Sequence, residues 1–172
     1  SKKGEENTKK PLFFFCQGSM PQPLLKYDET GLYSTFPFDA NDFLDEFHVV
    51  IVGKPGIPVI SNVKDLKNNY QYLVENDSVP KTYSDNNYLD YYVGRNNFVI
   101  NKLLKEKWIS KNKLVVAGHS EGSTIAAKLA TKNKKVTHLI YSGGNPYGRI
   151  LSMLQTDIYY KKDYDLIEYW KF

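Results

Sequence analysis

Leu114-Val115-Val116-Ala117-Gly118-His119-Ser120-Glu121-Gly122 joins an apolar run to a G-x-S-x-G pentad, and a helix-like segment from Ser123 to Thr131 follows. Strand before and helix after is the context in which this pentad reads as a nucleophile elbow. A serine hydroxyl attacks well only when it is held clear of the backbone and given a base. A sharp strand-to-helix turn meets the first need by holding the serine at positive φ, at a cost of about 1–3 kcal/mol. Crowding in that turn accounts for both glycines, since a Cβ at Gly118 or Gly122 would strike the neighbouring strand or helix. Ser123, Ala126, Ala127 and Ala130 keep the helix slim enough to lie close on a sheet. Its N-terminus offers free N–H groups and partial positive charge where an oxyanion would form. A phosphate-binding turn is the rival reading, but the chain carries neither G-x-G-x-x-G nor Gly-Lys-Ser/Thr.

Working outward, Pro11–Cys16 (P-L-F-F-F-C) is a continuous apolar run ending in Gln17-Gly18-Ser19, which suits a buried strand and a turn. Phe47–Val52 is a second such strand, ended by Gly53-Lys54-Pro55-Gly56. Apolar residues at Val63, Leu66, Tyr70 and Leu73 recur with a helical period. A longer helix is expected from Tyr88 to Trp108, with an inner stripe of Leu89, Tyr92/Val93, Asn96, Val99/Ile100 and Leu103/Leu104. Ser84 or Asp85 is available to cap it. Val136–Tyr141 reads as a further strand, after which Gly143-Gly144-Asn145-Pro146 breaks the pattern. Buried strands alternating with helices imply right-handed βαβ units: an α/β fold with a mostly parallel sheet and helices on both faces.

With 172 residues, 41% hydrophobic and 24% charged, the chain has the composition of one globular domain. Its longest apolar run is Leu12–Cys16, far short of the ~20 residues that span a bilayer, so no transmembrane segment is expected. One cysteine, Cys16, excludes an internal disulfide, and it reads as a buried small hydrophobe. The three histidines lack metal-ligand spacing, so no metal site is expected. Net charge is +4, but lysines alternate with Asp, Glu and Asn rather than crowding one element, which argues against nucleic-acid binding. The densest cluster, Lys132-Asn133-Lys134-Lys135, falls where a helix should end and cations favour the dipole. Residues 1–10 have no large apolar side chain and read as a flexible tail. Such a tail suits an exported or lipid-anchored protein, or an ordinary frayed terminus.

On the elbow residues Gly118-His119-Ser120-Glu121-Gly122, residues 11–145 resemble the α/β-hydrolase superfamily of serine hydrolases. The nearest likeness is to its esterase, dienelactone-hydrolase-like or prolyl-peptidase-like branches. The resemblance implies an acyl-enzyme on Ser120, a small-molecule ester or peptide substrate and no cofactor. In that family a second oxyanion donor comes from the loop after an earlier strand, which here is Gln17-Gly18-Ser19. It implies that the backbone N–H groups of Ser19 and Glu121 form the hole.

His119 is adjacent to the nucleophile and is expected to pack beneath the elbow rather than serve as base. His48 and His138 lie inside expected strands and read as satisfied core residues. Glu121 reads as a surface or neighbour-paired carboxylate, with contact to a substrate amine as the alternative. Pro55-Gly56-Ile57-Pro58 is expected to wall the acyl pocket. The triad order is Ser, acid, His. Ser142-Gly143-Gly144-Asn145 holds no carboxylate and no histidine follows His138, so acid and histidine are expected beyond residue 172. Apolar positions at Leu151, Leu154, Ile158, Tyr164, Ile167 and Trp170 suggest that 146–172 begin a helical lid. A catalytically degenerate, hydrolase-like binding protein is the competing class.

Overall fold

The computed structural model of the chain describes residues 1–145, so the expected lid over 146–172 lies outside the described residues. The strands and α-helices, in order, are β1 (Lys10–Cys16), β2 (Leu25–Asp28), β3 (Gly31–Ser34), α1 (Asn41–Leu44), β4 (His48–Ile51) and β5 (Ile60–Asn62). There follow α2 (Lys81–Asn86), α3 (Leu89–Leu103), β6 (Ile109–His119), α4 (Glu121–Lys132) and β7 (His138–Ser142). Four strands make a parallel sheet in the order β4-β1-β6-β7. The protein is therefore α/β with a mostly parallel main sheet. Among the described residues no helix is long and apolar enough to cross a membrane.

The period of two along β1 divides the core. Leu12, Phe14 and Cys16 face α3 and α4, meeting Val93, Ile100, Ile125 and Leu129. Phe13 and Phe15 face the other way, into a cluster with Phe36, Phe43 and Phe47. Phe13 meets Phe36 edge-on at 5.9 Å and Phe43 at 5.0 Å, so short α1 and the loop before it cover that face with aromatic area. Each such buried side chain contributes about 1.5–3 kcal/mol. The stripe expected for the long helix is the buried one, with Tyr92, Val93, Asn96, Ile100 and Leu104 inside. Asn96 donates to the Cys16 sulfur at 3.6 Å, which lets an amide sit on an apolar face.

Several local expectations need correction. Val63–Val74 forms no helix: it makes short 3₁₀ turns at Val63–Asp65 and Asn68–Tyr70 and a bridge between Lys67 and Gln71. Asn69 and Tyr70 have φ of 57° and 56°, a reversal that asparagine tolerates and a helix does not. The long helix stops at Leu103 rather than Trp108, because Lys10 N–H must reach the Trp108 carbonyl (3.1 Å) as β6 begins. Ser84 and Asp85 belong to α2, and Tyr88 occupies the N-cap of α3 without a side-chain cap. A second sheet, β3-β2-β5, was not anticipated; its strands are short and largely exposed, so they carry little apolar patterning. Within residues 1–10, Ser1 Oγ meets His48 Nδ1 at 2.6 Å and Lys2 pairs with Asp45 at 2.7 Å.

From β1 the chain moves to β4 on one side, then crosses back to β6 and on to β7 on the other. The sheet's switch point lies between β1 and β6, where the crevice beyond the carboxyl ends of parallel strands receives ligands. Cys16 pairs with Gly118 across that gap, so the loops from Gln17 and from His119 leave side by side.

Candidate active site

Ser120 sits between β6 and α4 with φ 57° and ψ −127°, a conformation that side chains rarely adopt. Its neighbours over-determine it. Its N–H donates to the Ser142 carbonyl (2.9 Å), while its own carbonyl accepts from Ser123 N–H (3.0 Å) and Ser123 Oγ (2.5 Å). The two glycines are required by close approach. A Cβ on Gly118 would lie 2.0 Å from the Gly122 carbonyl oxygen, and one on Gly122 would lie 2.1 Å from that of Cys16. Ser123 and Ala126 are fully buried, letting α4 lie against β6 and β1.

The Gln17–Ser19 loop comes to the same place. A Cβ on Gly18 would rest 3.5 Å from the His119 carbonyl oxygen and 3.6 Å from Ser120 Cβ. Tyr83, from α2, donates its hydroxyl to the Ser19 carbonyl at 2.5 Å. Glu121 opens α4, where the first-turn N–H groups lack helical partners and carry partial positive charge. Ser19, Ser120 and Glu121 thus border one concavity.

Two concavities flank the serine. One, of about 410 Å³, is lined by Leu89, Tyr92, Glu121, Thr124 and Ile125 and by Gly143 to Asn145. The other, of about 310 Å³, is lined by Phe15, Gln17, Met20, Pro37 and His119. Ser19 and Ser120 border both. Both volumes fall in the range of small-molecule sites. Within the Gln17 side chain, Oε1 is buried and has no hydrogen-bond partner among the described residues.

Behind Glu121 lies a group that motif reading missed. Lys54 Nζ pairs with Glu121 Oε2 at 3.4 Å while its side chain is only 2% exposed. The ammonium also lies over the Tyr92 ring at 4.7 Å and the Tyr83 ring at 5.6 Å. Burial pulls its pKa below the ordinary lysine value, and Glu121 opposes that shift. Burial likewise pushes the Tyr83 phenol up to about 12 and raises that of Tyr92. Lys54 lies three residues past the end of β4, so its place beyond the carboxyl end of a parallel strand is the available signal. The periodicity of α3 marks Tyr92 as helix core, and its ring also faces the ammonium.

Of the three histidines, only His119 borders a concavity beside Ser120. His48 is buried between Ser1 and the Thr8 carbonyl (2.8 Å), edge-on to Trp108. His119 does not pack beneath the elbow: it ends β6, is exposed and meets Ser142 Oγ at 3.1 Å. His138 is exposed rather than core, lying on the outermost strand of the described sheet with Nδ1 2.8 Å from Thr137 Oγ1. Pro55–Pro58 walls neither concavity; a Cβ on Gly56 would meet Pro80 and Thr82 at 3.2 Å, so that turn packs on the start of α2. Gly143 and Gly144 instead close over the elbow, with no room for a Cβ beside His119 or Ser123 Oγ.

The sequence matches no protein-family model and no curated protein. What the site can do is therefore argued from its geometry.

Proposed function

We propose that this protein is an α/β-hydrolase-type serine hydrolase that cleaves carboxylic ester, thioester or peptide bonds through an acyl-enzyme on Ser120. The observation that carries the reading is the backbone of Ser120 at φ 57° and ψ −127°, between two glycines that have no space for a Cβ. A strained serine exposed at a strand–helix turn presents its hydroxyl to solvent, where a carbonyl can reach it. In the proposed mechanism Ser120 Oγ attacks the substrate carbonyl while a histidine takes its proton. The oxyanion then accepts hydrogen bonds from the N–H groups of Glu121 and Ser19. Collapse expels the alcohol, thiol or amine, and water hydrolyses the acyl-enzyme. The triad acid and histidine come from outside the described residues, as does the helical lid proposed for 146–172. No metal or organic cofactor takes part in this scheme.

A fluorophosphonate probe tests it on the full-length protein. A phosphonyl adduct on Ser120, seen by peptide mass spectrometry and lost in Ser120→Ala, is the expected result. An unlabelled serine would overturn catalysis and leave the binding-protein reading.

A further inference from the structure

We propose that Lys54 and Tyr83 form a buried positioning pair that holds both oxyanion-donating residues, Ser19 and Glu121, beside Ser120. The inference rests on the assignment of Ser19 and Glu121 as donors in the proposed hydrolase.

The two side chains act on the two donors separately. Tyr83 donates to the carbonyl of Ser19 at 2.5 Å, fixing an exposed loop residue from a hydroxyl whose own side chain is buried. Lys54 holds the carboxylate of Glu121 at 3.4 Å and so pins the first residue of α4. The pair is joined internally, since the Lys54 ammonium lies over the Tyr83 ring at 5.6 Å. Tyr92, 4.7 Å below the same ammonium, closes the cluster against α3.

Stability alone gives little reason for a lysine here. Removing a cation from water costs as much as one carboxylate at this distance returns. Charge supplies the reason. Glu121 places a carboxylate on the residue whose N–H faces a developing oxyanion, and unneutralised it would oppose that charge. Lys54 offsets that charge from the buried side, 3.4 Å from the carboxylate. Lys54 and Tyr83 touch neither reacting atoms nor substrate, so they are positioning residues.

The test uses p-nitrophenyl acetate kinetics and backbone ¹⁵N relaxation on the full-length protein. Tyr83→Phe and Lys54→Met should each lower kcat about ten- to a hundredfold, less than loss of a whole donor, with KM within about threefold. Adding Glu121→Gln to Lys54→Met should restore several-fold of the lost kcat, because the uncompensated charge is gone. Lys26→Met is the control: Lys26 is also buried, over Tyr70 at 5.2 Å, yet lies outside both concavities and should leave kcat unchanged. Order parameters of the Ser19 amide in Tyr83→Phe and the Glu121 amide in Lys54→Met should fall from about 0.85 toward 0.6. Unchanged order at both amides, or kcat within twofold of the parent in both variants, overturns the proposal. If the parent protein neither turns over the ester nor takes the phosphonate, the hydrolase reading falls, and the amide measurement alone decides the pair.

Discussion

Gly122→Ala puts a methyl group into a backbone contact that has no room for it. Its Cβ would lie 2.1 Å from the Cys16 carbonyl oxygen, 2.6 Å from that of Gln17 and 2.8 Å from the Cys16 carbonyl carbon. All three are backbone atoms at the end of β1, where Cys16 is paired with Gly118 of β6, so no rotamer relieves the overlap. Ordinary contact begins near 3.4 Å, so α4 must retreat by about 1.3 Å. Two effects oppose each other. Alanine gains about 1 kcal/mol over glycine inside a helix, whereas overpacking against fixed atoms costs about 1–3 kcal/mol or more. Overlap this deep with main chain belongs at the upper end, which leaves a net loss of about 2 kcal/mol and lowers Tm by about 4–8 °C. Gly94→Ala is the matched comparison: Gly94 lies inside α3 with nothing within 4 Å of its would-be Cβ. There the helix term stands alone, and a gain of about 0.5–1 kcal/mol is expected. Urea unfolding of the two variants reads both signs. A Gly122→Ala protein as stable as the parent would refute the close approach of α4 to β1. In the proposed hydrolase the retreat would also carry the Glu121 N–H out of line, and a displacement near 1 Å costs about a hundredfold in rate.

The strain at Ser120 can be read from a pair of substitutions, since alanine keeps the positive-φ penalty and glycine releases it. Ser120→Gly should exceed Ser120→Ala in unfolding free energy by about 1 kcal/mol, while neither takes up phosphonate; an alanine variant at least as stable would deny the strain. Burial pushes the Cys16 thiol up to about 12 and the Tyr83 phenol up to about 12, against ordinary values of 9.0 and 10.0. The unfolded chain therefore sheds these protons first, and stability present below pH 9 should drain away as pH rises from 9 to 12. Unfolding midpoints that hold steady or rise over that range would contradict the burial of both groups. Cys16 is also 2% exposed, so a thiol-specific disulfide reagent should react only at the rate of unfolding; rapid native-state reaction would place it at the surface.

The elements that position the site were legible because one kind of pattern dominates them. Pro11–Cys16 and Leu114–Ala117 are short continuous apolar runs ended by glycine turns, which suits a strand buried on both faces. The stripe of α3 was equally plain, down to Asn96, whose amide finds the Cys16 sulfur. Val63–Val74 misled because its apolar spacing fits a helix, whereas Asn69 and Tyr70 take left-handed conformations that favour a reversal. An inward place is expected for His119 from its adjacency to Ser120 and for His138 from a strand read as buried, and both are exposed. The first lies where β6 leaves the sheet, and the second lies on the outer strand β7.

By itself, the sequence determined the α/β architecture and the turn at Ser120, because both depend on local quantities. Strand-length apolar runs settle the first. The second follows from two glycines spaced so that helix and strand can approach within van der Waals distance of their backbones. Only the tertiary structure decided what surrounds that serine. The strand order β4-β1-β6-β7 brings Gly18 to Ser120 across a hundred residues of chain, and the same packing lays Tyr83 on Ser19 and Lys54 on Glu121. These contacts join four segments with no shared period or motif. A lone lysine in a loop looks solvated until the fold closes two tyrosine rings over its charge.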